Sequence, residues 1–276
     1  MRCKIIFEDE ELLVIHKPAG LATQSAKVGQ GDVVSEVKGY LARRSGGGPR
    51  RAPYLGIVHR LDQPVEGLLV FAKTQRAAAA LTKQLQKGTL HKTYVAAVYG
   101  RPKEAEQELA DYLVKDGSIV RVVTGQEKTY PDAKEARLSY RLLRTFSVTW
   151  REGTRAARDG LEGRGSEVLG YEGTQAKPDD LEKSRSEESG AEVSVLEVRL
   201  ETGRFHQIRA QLSHAGMPIL GDQKYGSDES QRLSEALSVH NVALCAESLE
   251  ILHPATKKKM SWKLPPENKI FQNAVN

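Results

Sequence analysis

Val193-Ser194-Val195-Leu196-Glu197-Val198-Arg199-Leu200-Glu201-Thr202-Gly203-Arg204-Phe205-His206-Gln207-Ile208-Arg209 changes its period partway along. Leu196, Val198 and Leu200 alternate with Glu197, Arg199 and Glu201, the pattern of a strand with one buried and one solvated face. Thr202-Gly203-Arg204 turns the chain. Phe205, Ile208 and Leu212 then recur at helical spacing, and Gly216 stops the helix. A helix start offers free N–H groups and the positive end of a dipole, so with Arg204 and Arg209 this junction can bind phosphate or hold a carboxylate. A helix start with two surface arginines is an equally good local reading.

The same mixture of short strands and few helices extends in both directions. Ile5–Phe7 and Leu12–Ile15 flank an acidic turn and read as a hairpin ended by Lys17-Pro18-Ala19-Gly20. Tyr54–Val58 and Gly67–Lys73 read as strands around a polar turn. Ala77, Ala80, Leu81 and Leu85 mark one face of a helix over Thr74–Leu85, with Gly88 beyond it. Lys92–Gly100 reads as a strand, as does Ala243–Leu252, followed by His253-Pro254, the Lys257–Lys259 run and a closing Trp262–Pro266. The regular strand–helix alternation of a doubly wound sheet is missing, so the fold class expected is α+β with a mainly antiparallel, mixed sheet and flanking helices.

The chain has 276 residues, 39% hydrophobic and 28% charged, with a net charge of +5. Residues 151–192 hold seven Lys/Arg against eleven Asp/Glu, a net −4, and show almost no apolar periodicity. They read as a flexible acidic insertion, which leaves +9 for the remainder and points to a polyanionic partner. Arg43–Pro53, rich in glycine and holding four arginines, reads as a basic flexible loop that either touches phosphate or is a solvated tether. Cys3 and Cys245 have neither disulfide-framework nor metal-ligand spacing. No apolar run approaches a membrane span, and no signal peptide fits the first residues. A soluble, cytoplasmic protein is expected. No phosphate-cradling glycine loop points to a nucleotide cofactor, and no metal site is expected.

One further segment carries chemistry. His59-Arg60-Leu61-Asp62 lies on a polar turn between strands, where catalytic groups concentrate, although the local sequence alone favours a simple turn cap for Asp62. Pro218-Ile219-Leu220-Gly221-Asp222-Gln223-Lys224-Tyr225-Gly226 reads by itself as a glycine-bounded loop.

Taken together, the segments resemble the RluA family of pseudouridine synthases. The HRLD of His59–Asp62 leads to Gly67 and an apolar strand. Lys92-Thr93-Tyr94 resembles the family's Lys-x-Tyr strand. Thr202–Arg209 fits TGRxHQIR, and Pro218–Gly226 fits PIxGDxxYG. The opening hairpin with its Lys-Pro-Ala-Gly and the closing His253-Pro254 are also similar, in the same order. The resemblance implies a single catalytic domain over 1–276 with a central active-site cleft and no separate N-terminal RNA-binding domain, since the first hairpin begins almost at Met1. It also implies an RNA substrate, ribosomal or transfer, acted on by a protein expected to be monomeric.

Pseudouridylation breaks the N1–C1′ bond of uridine, turns the uracil and joins C5 to C1′, without net oxidation or an energy source. The resemblance makes Asp62 the catalytic carboxylate, by attack on the sugar or by its deprotonation. It makes Arg204 the cation that keeps Asp62 ionised, and Tyr94 the ring that stacks on the uracil or acts near its C5. By the same resemblance Ile208 packs against the base, and Arg60 fills the place the flipped uridine leaves, contacts phosphate, or does both. Arg209 is expected to add charge for substrate binding, and His59, counted with the substrate-binding residues, to support the loop rather than catalyse. The family pattern after HRLD leads to Thr-Ser-Gly, whereas this chain has Val65-Glu66-Gly67. Glu66 is expected to point away from the pocket. A catalytically silent RNA-binding protein on the same scaffold would be favoured by loss of Asp62, Tyr94 or Arg204, and all three are present. A hydrolase built on His59 and Asp62 lacks a nucleophile.

Overall fold

A computed structural model describes residues 1–25, 29–44, 53–125, 129–151 and 188–272. The expected hairpin forms around Asp9, whose Oδ1 accepts from the amides of Glu11 and Leu12 at 2.8 and 2.7 Å. Strand β1 (Lys4–Glu8) thereby turns back into β2 (Leu12–Lys17). Helix α1 (Val33–Arg44) follows, started by Asp32, whose Oδ1 accepts from Ser35 N at 2.7 Å, and buried along Val33, Val37 and Leu41. The basic loop expected at Arg43–Pro53 therefore begins later. Arg43 and Arg44 form the last turn of α1, where the helix dipole favours cations, and residues 45–52 lie outside the described part.

Strand β3 (Gly56–Ile57) pairs with β4 (Glu66–Ala72), and α2 (Gln75–Gln86) starts at Thr74, whose hydroxyl accepts from Ala77 N at 3.1 Å. Then come β5 (His91–Tyr99), β6 (Glu106–Asp116), β7 (Ile119–Val122), β8 (Lys134–Arg151) and β9 (Glu188–Leu200). The chain continues through α3 (Gln207–His214), α4 (Asp228–Ala236), β10 (Leu244–Leu252) and β11 (Lys259–Lys263).

Among the described residues all the strands join in one sheet of order β1-β2-β4-β10-β5-β9-β8-β6-β7, with β3 added to β4 and β11 to β10. Every pairing is antiparallel except β4 with β10, so the sheet is mixed and mainly antiparallel, an α+β fold as expected. Strands β8 and β9 pair from Leu138↔Leu200 out to Arg151↔Glu188. The acidic segment read as 151–192 is thus shorter at both ends. Arg151 and Glu188–Glu192 take strand form because the partner strand satisfies their backbone groups, and 152–187 lie outside the described part.

Both faces of the sheet centre are covered, which accounts for the unbroken Leu12-Leu13-Val14-Ile15 run. Leu12 and Val14 pack with Leu68, Val70, Ala77 and Leu81 on the α2 side. Leu13 and Ile15 pack with Val33, Val37, Ile208 and Leu212 on the other. Each such side chain contributes roughly 1.5–3 kcal/mol when fully buried. Gly67 has φ of +129°, and a Cβ there would come within 2.5 Å of the Ala246 backbone N and O, so only glycine lets β4 and β10 meet beside the turn that carries Asp62.

Candidate active site

The Asp62 turn is held from below and from both sides. His59 and Leu61 are buried while Arg60 between them is exposed. His59 Nε2 accepts from Val70 N at 3.3 Å, and burial, with Lys92 nearby, holds its pKa well below the usual imidazole range. A neutral ring that receives a β4 amide supports the loop. Leu61 N donates to Thr23 Oγ1 at 3.2 Å, and that hydroxyl donates back to Leu61 O at 2.8 Å. Lys17 is fully buried, and its Nζ donates to the carbonyls of Leu21, Pro18 and Gln63 at 2.7, 3.0 and 3.1 Å. Burial pushes its pKa down to about 8, against the pull of nearby acidic groups that include Asp62.

Asp62 lies on top of this frame with its side chain 24% exposed. Its Oδ2 is 3.1 Å from Arg209 Nη1 and 3.5 Å from His206 Nε2. Arg209 is itself buried and grips Asp222 with two hydrogen bonds of 2.7 Å, from Nε and Nη2. Burial opposes the guanidinium charge, but the bonds and charge of Asp222 and then Asp62 outweigh it and raise the pKa of Arg209. The cation beside Asp62 is therefore Arg209, not Arg204 as expected. Arg204 is exposed, and its Nε donates to Glu135 O at 2.9 Å. The physical reason lies in the turn: Gln207 Oε1 accepts from Thr202 Oγ1 at 2.8 Å and from Arg204 N at 2.9 Å, and His206 takes φ of +52°. The helix consequently begins only at Gln207, which leaves Arg204 outside on the rim and turns Arg209 inward.

Four residues with no role assigned from sequence complete the site: His206, Tyr225, Asp222 and Lys17. His206 Nδ1 meets the Tyr225 hydroxyl at 2.9 Å, and that hydroxyl accepts from Val120 N at 2.8 Å. Burial pushes the pKa of His206 down to about 4 despite Asp62, helped by Arg209 and Lys224, so the ring is neutral at pH 7. A lone pair on Nε2 would face the carboxylate repulsively. The neutral ring therefore carries its proton on Nε2, toward Asp62, and accepts the Tyr225 proton on Nδ1. Asp222 and Tyr225 lie within a motif visible in the sequence. A buried arginine requires a carboxylate partner, and that requirement is the signal that could have assigned Asp222.

Ile208 and Tyr94 are buried in the same apolar cluster as Leu61. Tyr94 sits opposite Val198 in the sheet with Lys92 Nζ 5.6 Å from its ring centre, and its hydroxyl makes no hydrogen bond among the described residues. Arg60 makes no ion pair or hydrogen bond among the described residues. Glu66 is buried and accepts from the amides of Glu267 and Asn268 at 3.1 and 3.3 Å, so it fastens the C-terminal segment. Burial raises its pKa. His16, Glu66 and Glu267 offer ligand atoms within 4.8 Å of one another, but Glu267 is also paired with Lys4 at 2.6 Å and Glu66 with backbone amides.

A mixed sheet whose centre presents one carboxylate, on a locked turn against a buried arginine, has the fold of the pseudouridine synthases. The solved human RNA Pseudouridylate Synthase Domain Containing 4 aligns with TM-score 0.63 over 97% of this chain and 90% of that one, at 20% identity. Residues 11–214 match the family described as RNA pseudouridylate synthase, and the chain belongs to that family. Among curated relatives, the Ribosomal large subunit pseudouridine synthase D of Pseudomonas aeruginosa is 30% identical over 97% of this chain and 70% of its own length. The protein of that name from Nitrosomonas europaea is 29% identical over 95% of this chain, which spans 61% of that relative. The Dual-specificity RNA pseudouridine synthase RluA of Vibrio parahaemolyticus is 28% identical over 91% of this chain and 78% of its own length. These relatives place the chain with the RluA-type members.

Proposed function

We propose that the protein isomerises uridine to pseudouridine within RNA, with Asp62 as the catalytic carboxylate. The observation that carries this reading is the Asp62 carboxylate itself, partly open to solvent yet bound to a buried arginine whose charge is fixed by Asp222. Such a carboxylate, held against a fixed buried cation and still open on one side, can meet a sugar in a closing pocket. In the reaction N1–C1′ breaks and C5–C1′ forms, while the proton leaves C5 and N1 gains one. No electrons are gained or lost overall. Tyr94, with an uncommitted hydroxyl, acts against the uracil, and Ile208 borders the base. Arg60, exposed and unpaired among the described residues, occupies the gap left by the flipped nucleotide. Arg204 serves the rim by meeting phosphate, and Arg209 serves the carboxylate.

Large-subunit ribosomal RNA is the first substrate to test, because relatives are named for it, with transfer RNA second. Monomeric action in the cytoplasm belongs to the same proposal. No described helix is long and apolar enough to cross a membrane. The deciding experiment maps pseudouridine in total RNA from cells lacking the gene, complemented by wild type or by Asp62→Asn. One or a few sites should vanish and return only with wild type, with purified Asp62→Asn slower by roughly 10³-fold or more. If wild-type protein binds unmodified transcripts but releases no tritium from C5, it is an RNA-binding protein without turnover.

A further inference from the structure

Phe205 is 45% exposed, one residue from His206 and on the rim of the site. Its ring is stacked on the His206 imidazole with centroids 3.8 Å apart and planes at 22°, and that imidazole lies 3.5 Å from Asp62 through Nε2. The turn beneath is rigid, because Gln207 ties Thr202 and Arg204 together and reaches the Arg137 carbonyl at 3.0 Å. Over the ring, among the described residues, stands the Lys115 ammonium, 5.4 Å from the centroid, at the exposed end of β6. Asp116, next to Lys115 in the chain, pairs with Arg121, and Glu135, whose carbonyl holds Arg204, pairs with Arg137, each at 2.6 Å. Arg204 adds a further charge on the rim, with its Nε taken by the Glu135 carbonyl. Nothing in the packing requires an aromatic residue here, since Phe205 belongs to none of the buried clusters.

We propose that Phe205 is a stacking platform for the nucleobase adjacent to the target uridine, with Lys115 displaced from the ring onto the flanking phosphate. The proposal rests on the RNA-isomerase reading of the same site. The stack Phe205–His206 ends at the catalytic carboxylate, so a uridine turned into the site brings its strand neighbour over Phe205. Any base has a face for such a platform, so the contact is tolerant of sequence. A phenyl ring on a locked turn needs little ordering, and the cations beside it match the phosphates on either side of the stacked base. The exposed ring thereby supplies affinity for the strand next to the reacting nucleotide without reading its identity.

The test is a cycle on an unmodified large-subunit rRNA transcript fragment that contains a site mapped for the protein, made with and without an abasic residue beside the target. Tritium release from C5 gives kcat and KM. Phe205→Ala should raise KM roughly 10-fold with kcat within about twofold, Phe205→Trp should restore it, and Phe205→Leu should not. The abasic transcript should cost wild type a similar factor on one side of the target only, and should cost Phe205→Ala little more. Equal activity of Ala and wild type, rescue by leucine, or losses that multiply with the abasic residue would overturn the proposal. If wild type turns nothing over, the isomerase reading falls separately. The dissociation constants of the four proteins for the full-length unmodified transcript then judge the platform by the same Ala, Trp and Leu pattern.

Discussion

At the scale of single residues, two carboxylates share one buried arginine and are treated unequally by it. Asp222 is completely buried and takes the bidentate contact, while Asp62 takes one Nη and remains partly solvated. The Asp222 contact orients Arg209, and Arg209 in turn holds Asp62, so Asp222 acts on Asp62 at one remove. Asp222→Asn preserves shape but leaves the arginine charge short of its main partner. A loss of about 3–5 kcal/mol is expected in urea unfolding, together with a fall in turnover. His206 gives a pH signature. Its pKa in the fold is about 4, below the ordinary 6.5, so the unfolded chain binds the proton more tightly. Its contribution to stability is complete above pH 6.5 and is lost as the pH falls toward 4, by up to roughly 3 kcal/mol at 1.36 kcal/mol per unit. His59 and His16 are lowered too and act in the same direction, so the wild-type curve alone would mix them. His206→Asn, which tolerates a positive φ, removes only its own share. The stability gap between wild type and this variant should close by about that amount between pH 7 and 4. These roles could not be separated by reading the sequence: Arg204 and Arg209 stand in one motif, and which of them faces Asp62 depends on where the helix starts. That start is set by the backbone of His206 and by Gln207.

At the scale of elements, the turn that carries Asp62 is positioned by β4 and β10. Their parallel contact at Gly67↔Ala246 is the place where the backbone approaches too closely for a side chain. Gly67→Ala adds a Cβ to a backbone of positive φ and drives it into Ala246, so a loss of more than about 3 kcal/mol, the top of the range for local backbone strain, is expected. Thermal unfolding checks it, and Ala at Gly203, where a Cβ meets nothing within 4 Å, is the control that should lose far less. The elements legible in the sequence are those with two covered faces or a clear apolar stripe, such as β2, β4, β5, α2 and β10. Strand β6 was not legible because much of it is solvated: only Asp111 and Leu113 are buried along its eleven residues. Helix α1 was obscured where its final arginines run into a glycine-rich stretch. Of the candidate site, the motif resemblance points to Asp62, Ile208 and Tyr94 and the helix start points to Arg204 and Arg209 alike, while the tautomer of His206 and the pairing of Asp222 exist only in three dimensions.

At the scale of the whole molecule, charge and connectivity are arranged around the same sheet. Residues 152–187 carry six Lys/Arg against nine Asp/Glu, and they join two residues, Arg151 and Glu188, that are paired across β8 and β9. A two-residue loop is enough to connect cross-strand partners in a hairpin. The hairpin stems are also tied into the sheet on both sides, by β6 and by β5, well away from that junction. Replacement of 152–187 with Asn-Gly is therefore expected to leave the fold intact, with the melting temperature within about 4 °C, the shift that roughly 1 kcal/mol produces at this size. The shortened chain loses net negative charge, so its affinity for RNA should rise at low salt and converge on that of wild type as salt screens the difference. Binding isotherms of both proteins from about 50 to 200 mM salt give the two slopes. A collapse of the fold would instead show that the long connection is needed for the sheet itself, and equal affinity at every salt concentration would show that its charge lies outside the reach of the RNA.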